Sequence, residues 1–197
     1  MKLNTNINNS TKRSARGFTL IEMVGVLAVI AILAALLVPK IFQAINDSKL
    51  SSTVSTLNTC KTATMSYYAQ TNKFTIAEDF DKVLMASNLL DSVFQCKVAD
   101  SCKMHVVKSG GPDTTVGYNL DGAANTTLNA AVVECVLTGV SIADAIELSK
   151  RIDGEATAAN ALSKSDATVD DLKGRVEYKA PASGATTTDV YVYIAHK

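Results

Sequence analysis

An apolar segment at residues 18–38 constrains the fold of this chain more than any other feature. It is interrupted only by Thr19 and by one acid, Glu22. A helix of this length spans about 31 Å, roughly the thickness of a bilayer's hydrocarbon core. A carboxylate at mid-bilayer costs roughly 2.5–3.5 kcal/mol, so Glu22 requires a partner. We therefore expect a membrane-spanning helix in which the acid has a specific task.

The 17 residues that precede this segment are basic. They hold Lys2, Lys12, Arg13 and Arg16 and no acid. Positive charge before an apolar span predicts that the leader stays cytoplasmic and that the rest of the chain crosses the membrane. Removing these four from the 19 basic residues leaves 15 against 19 acidic ones, which argues against nucleic-acid binding.

Two other interpretations of the N-terminus exist. A secretory signal peptide has an apolar core of about 7–15 residues and a small-residue cleavage site. Here the uncharged stretch from Met23 to Val38 already exceeds that length, and no convincing cleavage site follows it. A lone signal anchor is the second interpretation, and it leaves Glu22 and the Gly17-Phe18 junction unexplained.

Residues 17–22, Gly-Phe-Thr-Leu-Ile-Glu, resemble the processing site of type IV prepilins and of the related pseudopilins of type II secretion. The resemblance is strong over about residues 17–43. It implies that a membrane-bound prepilin peptidase cuts after Gly17 and methylates the new amino group of Phe18. It also implies a homo-oligomeric helical filament, with an assembly ATPase and an inner-membrane platform protein as partners.

The resemblance gives Glu22 and Pro39 roles in assembly. In the family, a glutamate at this place pairs with the amino terminus of a neighbouring subunit. The alternative is a protonated or snorkelling glutamate near the interface. Pro39 would mark the place where the helix loses order during assembly; the alternative is a simple kink at the membrane surface.

A second helical pattern follows Pro39. Apolar residues recur at spacings of three to five, which predicts an amphipathic continuation of the same helix to about residue 70. They are Leu50, Val54, Leu57, Cys60, Met65 and Tyr68. The predicted domains are a cleaved leader at 1–17, a transmembrane or filament-core helix at 18–38, the amphipathic half at 39–70 and a globular head at 71–197.

The head pattern predicts an α+β fold, and the resemblance implies a pilin-like one, with a long helix packed on an antiparallel sheet. We expect helices at 77–86, 128–138 and 141–152, the last capped by Ser141 with Asp144. Strands are predicted at 103–106 and 115–120, and a hairpin is predicted at 174–178 and 190–194.

Four cysteines follow the predicted span: Cys60, Cys96, Cys102 and Cys135. They allow three pairings. Cys96 with Cys102 would clip a local turn, which leaves Cys60 to join Cys135. Four free buried thiols are the alternative. The family often has a disulfide near its C-terminus, but this chain has no cysteine after Cys135, and neither cysteine nor histidine spacing suggests zinc.

Four acids, Asp153, Asp166, Asp170 and Asp171, precede the predicted hairpin. Major pseudopilins often bind calcium in a late loop, and calcium requires six to eight oxygen ligands. No EF-hand pattern is present, and the alternative is a solvated polar loop. We therefore expect no cofactor, with these acids as weak calcium candidates.

The sequence offers no support for catalysis. His105 and His196 lie in no nucleophile or metal motif, and no glycine-rich phosphate loop occurs. We expect a structural filament subunit, anchored in the inner membrane with a periplasmic head before assembly and periplasmic or extracellular afterwards. The alternatives are a type II secretion pseudopilin and a single-pass anchored periplasmic binding or enzyme domain.

Overall fold

The structure, a computed structural model, describes residues 17–120, 127–155, 170–182 and 184–197. The chain divides into two compact units, Met1–Ala44 and Ile45–Lys197. The described residues form three helices and four strands. The helices are α1 (Leu20–Thr71), α2 (Phe80–Ala86) and α3 (Ile142–Asp153), and the strands are β1 (Ser101–Lys108), β2 (Ala131–Ser141), β3 (Val176–Tyr178) and β4 (Thr187–His196).

Helix α1 carries the apolar segment and continues beyond it. The helix includes Pro39 and ends at Thr71, so the expected continuation through the proline is confirmed. All described residues of the first unit, 17–44, are exposed. The described residues of this unit therefore leave the apolar side chains of the helix uncovered.

In the second unit, the later part of α1 contributes one stripe to the head's core. Leu50, Leu57 and Cys60 are buried there, as the amphipathic pattern predicts. Met65 is 45% exposed, so its predicted place on the stripe is wrong. At 100° per residue, position 64 stays within about 40° of position 60, whereas position 65 turns away from it. Thr64 is accordingly buried in its place.

The head is built on a four-stranded antiparallel sheet of order β1-β2-β4-β3. The predicted C-terminal hairpin is confirmed, since Val176 pairs with Val192 and Tyr178 pairs with Val190. The predicted strand around residue 104 is also confirmed as β1, which is longer than expected. Together with α1, this arrangement gives the expected α+β, pilin-like fold.

Two predicted elements are wrong. Residues 128–138 do not form a helix; residues 131–141 form β2, the longest strand described. This run is rich in β-branched valine, and all but one of its residues are buried or half-buried. A short apolar run of this kind does not distinguish a buried strand from a helix. Residues 115–120 form no strand, because the N–H groups of Val116 and Gly117 donate to the Asp113 carbonyl in a turn.

Helix α3 has the predicted ends. The Ser141 hydroxyl accepts from the Asp144 N–H over 3.2 Å and caps the first turn. Gly154 ends the helix with a φ of +92°, a conformation that favours glycine. Helix α2 begins at Phe80, three residues later than the predicted start at residue 77.

A single apolar cluster joins these elements in the head. It contains Leu57 of α1, Phe80 of α2, Leu148 of α3 and the inward-facing residues of the sheet, such as Val192. Alternation along the strands places the remaining residues on the opposite face of the sheet. The glutamates Glu134 and Glu177 lie on that second face.

Candidate processing and assembly site

The Gly17-Phe18 junction lies just ahead of α1. Residues 17–19 have no regular secondary structure, and the helix begins at Leu20. The Phe18 side chain is 79% exposed. A Cβ added to Gly17 would meet no atom within 4 Å, so packing in this structure does not require glycine at that position.

Thr19 and Glu22 cap the start of the helix reciprocally. The Glu22 carboxylate accepts from the Thr19 N–H and from the Thr19 hydroxyl, each over 2.8 Å. The Glu22 N–H donates to the Thr19 hydroxyl oxygen over 3.3 Å. This is a capping box, in which two helix-end donors find side-chain acceptors. Its signature, Thr-x-x-Glu ahead of an apolar run, is already present in the sequence.

The first part of α1 exposes a continuous apolar surface. Leu20 and Leu36 are 82% and 68% exposed, and the other large apolar residues of this segment are exposed as well. Soluble monomers rarely expose so large an apolar area. Within the described residues, α1 is the one helix that is long and apolar enough to cross a membrane.

One face of this segment holds a shallow apolar depression that includes Glu22. Its lining residues are Phe18, Glu22, Gly25, Val26, Val29 and Ile30, and its volume is about 450 Å³. A Cβ added to Gly25 would meet nothing within 4 Å. The glycine therefore leaves room for another helix to approach the backbone beside the carboxylate. Such a face can accept apolar side chains and one cation.

Residues 12–38 match the family model described as the prokaryotic N-terminal methylation motif. The chain therefore carries the signature of type IV prepilins and pseudopilins, which implies processing by a prepilin peptidase and assembly into a filament. Searches of curated proteins and of solved structures found no match for this chain.

The structure brings the four cysteines together in two pairs, and all four are thiols. Cys60 and Cys135 are both buried in the same apolar cluster, and each changes the pKa of the other. The Cys96 N–H donates to the Cys102 sulfur over 3.1 Å. These are the two pairs named in the sequence analysis; whether they become disulfides stays a prediction.

Two of the candidate calcium ligands accept hydrogen bonds from backbone N–H groups near β3. The Asp153 carboxylate accepts from the N–H groups of Arg175 and Val176 at 2.9–3.0 Å, and burial raises its pKa. Asp170 accepts from the Ala180 N–H over 2.6 Å.

The remaining calcium candidates add little to a metal site. Asp171 is buried and accepts from the Ser149 hydroxyl over 2.9 Å, while Asp166 lies outside the described residues. No group of three or more histidine, cysteine or acidic side chains that could hold a metal ion occurs in the described part of the chain. Calcium binding therefore stays a prediction.

A buried polar network that the sequence pattern did not reveal lies on the second face of the sheet. Glu134 accepts from the Tyr118 hydroxyl over 2.9 Å and from the Gly111 N–H over 2.6 Å, and it contacts His105 Nε2 at 2.7 Å. The pairing of β1 with β2 places His105 directly opposite Glu134. This network fixes the loop that follows β1 to the sheet.

Glu177 lies in the same region under the loop. Its carboxylate accepts from the Asn119 N–H over 3.1 Å, and its side chain passes close to Gly111. Burial, followed by the neighbouring charges of Asp171 and Glu134, raises the pKa of Glu177 to about 7. The head therefore contains a carboxyl group that titrates near neutral pH.

Proposed function

We propose that this chain is the precursor of a structural subunit of a type IV pilus-like filament. The prepilin peptidase cuts between Gly17 and Phe18, and the new Phe18 amine is methylated. The observation that supports this proposal best is the exposed apolar segment at residues 18–38, which holds a single carboxylate, Glu22, four residues after the proposed new terminus.

The geometry of the junction suits proteolysis. A protease binds its substrate as extended backbone, and residues 17–19 are outside the helix. The glycine before the scissile bond has no side chain, so the backbone can approach the enzyme closely. The apolar helix begins directly after the cut and stays on the mature protein as its anchor.

Cleavage creates a cation near an anion that lies in an apolar segment. We infer that the Phe18 amine of one subunit pairs with Glu22 of its neighbour when the helices bundle. The packing energy of apolar helix faces changes little when one helix slides along another. An unpaired charge in an apolar environment, by contrast, costs free energy. The pair therefore selects one axial register of the filament.

The proposed topology follows from the charge of the leader. The basic leader stays in the cytoplasm, α1 spans the inner membrane up to about Val38, and residues 71–197 fold in the periplasm. An assembly ATPase and a platform protein then move the subunit into a periplasmic or extracellular filament. The partners are copies of this chain and the assembly machinery.

A type II secretion pseudopilin is the second candidate within this class. The stretch from Leu36 to Ile41 resembles that of the major pseudopilin. Under this alternative the filament is the piston of a secretion system, and the neighbouring genes should encode secretion components. A single-pass anchored domain is the third candidate, and it predicts no processing at Gly17.

The intact mass of the membrane-bound and sheared-filament fractions tests the proposal. We expect a chain that begins at Phe18 and carries one methyl group of about 14 Da. A native protein that begins at Met1, or one trimmed elsewhere, contradicts the proposal. A processed protein that never enters a sheared fraction contradicts filament assembly alone.

A further inference from the structure

We propose that Cys60 and Cys135 close into a disulfide that ties α1 to the central strand β2, and that the disulfide donor enters at Cys60. A second disulfide, Cys96–Cys102, closes beside it. This inference goes beyond the filament proposal, because it concerns the head and holds whether or not the chain polymerises.

The fold concentrates the four thiols in one place. Cys60 lies on the buried stripe of α1, and Cys135 lies on the core-facing side of β2. Cys102 lies on β1 opposite Leu137, and Cys135 lies opposite Met104, so the two cysteines are diagonal neighbours on the same face. The Cys102 thiol also donates to the Phe94 carbonyl over 3.5 Å.

A cavity connects Cys60 to the surface. It has a volume of about 210 Å³ and is lined by Ser55, Thr59, Cys60, Leu90, Val93 and Phe94, among others. Ser55, Thr59 and Val93 are exposed at its rim. Cys135 is not among its lining residues and is fully buried. A reagent from solvent therefore reaches Cys60 before it reaches Cys135.

The pKa shifts of Cys60 and Cys135 indicate the same order of reaction. Hydrogen bonding with the neighbouring Cys135 thiol lowers the pKa of Cys60. Burial raises the pKa of Cys135 well above its ordinary value. Since the thiolate is the nucleophile in disulfide exchange, Cys60 attacks first and Cys135 second.

The exchange balances with an external disulfide as the oxidant. The Cys60 thiolate attacks one sulfur of the donor, forms a mixed disulfide and releases the other donor sulfur as a thiolate. The Cys135 thiol then loses its proton, and its sulfur attacks the sulfur of Cys60. This step forms Cys60–Cys135 and releases the second donor thiolate, which takes the proton. Two protein thiols are oxidised, and one donor disulfide is reduced to two thiols.

Trypsin separates all four cysteines, which makes the pairing measurable. They fall in residues 50–61, 83–97, 98–103 and 109–150. The full chain, purified in detergent and incubated with oxidised glutathione, should lose about 4 Da as two disulfides form. Non-reduced digests should link 50–61 to 109–150 and 83–97 to 98–103. Other linkages, or unreacted thiols at Cys60 and Cys135, overturn the proposal.

Serine variants test the point of entry. In a background that carries Cys96→Ser and Cys102→Ser, the variant Cys135→Ser should trap glutathione on Cys60, a gain of about 305 Da. The matched variant Cys60→Ser should gain an adduct on Cys135 at least about tenfold more slowly, because that thiol does not line the cavity and its pKa is raised. Equal rates, or faster reaction at Cys135, exclude entry at Cys60.

A measurement on the unmutated chain covers the case in which a serine variant does not fold. Reduced protein is pulsed with iodoacetamide and then labelled in denaturant with the heavy reagent. Cys60 should be alkylated at least about tenfold faster than Cys135 in the folded chain. Equal protection of the two cysteines rules out the cavity as the route of entry.

Discussion

Thr19 and Glu22 satisfy each other's hydrogen-bonding groups at the start of α1, where the threonine N–H donates to the glutamate carboxylate over 2.8 Å. The acid of the apolar segment therefore has hydrogen-bond partners within its own chain. A neighbouring amine must add a charge interaction to this cap or replace it. The cap holds the carboxylate in one orientation, which reduces the entropy lost when a second subunit docks.

Two substitutions of Glu22 distinguish the role of its charge from its role in capping the helix. Glu22→Gln retains an oxygen that accepts from the Thr19 N–H but cannot pair with a cation. We expect both Glu22→Gln and Glu22→Ala to be processed normally and to reduce sheared filament more than about tenfold, because an unpaired amine in the apolar core costs several kcal/mol. The measurement is the filament yield per amount of processed protein. If Glu22→Gln polymerises like the unmodified chain while Glu22→Ala does not, the cap rather than the charge explains assembly.

Gly17→Ala tests the junction without a packing defect. The added methyl group meets nothing within 4 Å, so the variant should insert and fold normally. We expect it to remain unprocessed and about 2 kDa heavier than the mature protein. Gly25→Ala is the matched control, since its added methyl is also unobstructed but lies eight residues after the junction. Normal processing of Gly17→Ala shows that the peptidase does not require this glycine.

Glu177 should make the stability of the head depend on pH. Its pKa is about 7 in the folded head, raised chiefly by burial, against an ordinary value of 4.5. Below about pH 4.5 the carboxyl is protonated in both the folded and the unfolded chain, and its contribution to the free energy of unfolding is fully present. That contribution is lost as the pH rises through 7. The loss is on the order of 3 kcal/mol at most. Urea unfolding of the processed protein in detergent, followed by tyrosine fluorescence at several pH values, measures it.

Glu177→Gln is the control for this pH dependence. Glutamine keeps an acceptor for the Asn119 N–H and does not ionise. The variant should therefore lose much less stability between pH 5 and pH 8 than the unmodified chain. Asp153, whose pKa burial also raises, leaves a smaller dependence of the same sign. An unchanged pH profile in Glu177→Gln excludes Glu177 as its source.

Arg151 links α3 to α1 within the second unit. Its guanidinium donates to the Asp47 carboxylate over 2.9 Å and to the Ser51 hydroxyl over 2.8 Å. Arg151→Ala should lower the free energy of unfolding by about 1 kcal/mol, because the pair is partly exposed to solvent. Lys108→Ala removes an exposed cation at the end of β1 and should change it by less than about 0.5 kcal/mol. Equal effects of the two substitutions indicate a general charge effect rather than this contact.

The proposed processing site could be located from sequence because it is local. Gly17, Phe18 and Glu22 lie within six consecutive residues, so no knowledge of the fold is needed to bring them together. The capping of Glu22 by Thr19 was visible in the same six residues but was overlooked. Helical spacing alone also places Gly25 on the same face of α1 as Glu22.

The head was harder to predict because its contacts are non-local. Residues 131–141 form a strand because they are paired on both sides, with β1 and with β4, and no local pattern shows either partner. The burial of Glu134 and Glu177 could not be predicted for the same reason, since the groups that cover them, such as the loop at Gly111, are distant in sequence. The proximity of Cys60 to Cys135, across 74 intervening residues, was predicted only by elimination.

The position of β4 between β2 and β3 has a consequence for biogenesis. Three strands are synthesised first, yet β3 has no other strand as a neighbour until residues 187–196 arrive. A chain that stops before that point exposes two unsatisfied strand edges, a form that is prone to aggregate. The sheet order thus makes complete synthesis of the chain a precondition for a soluble head.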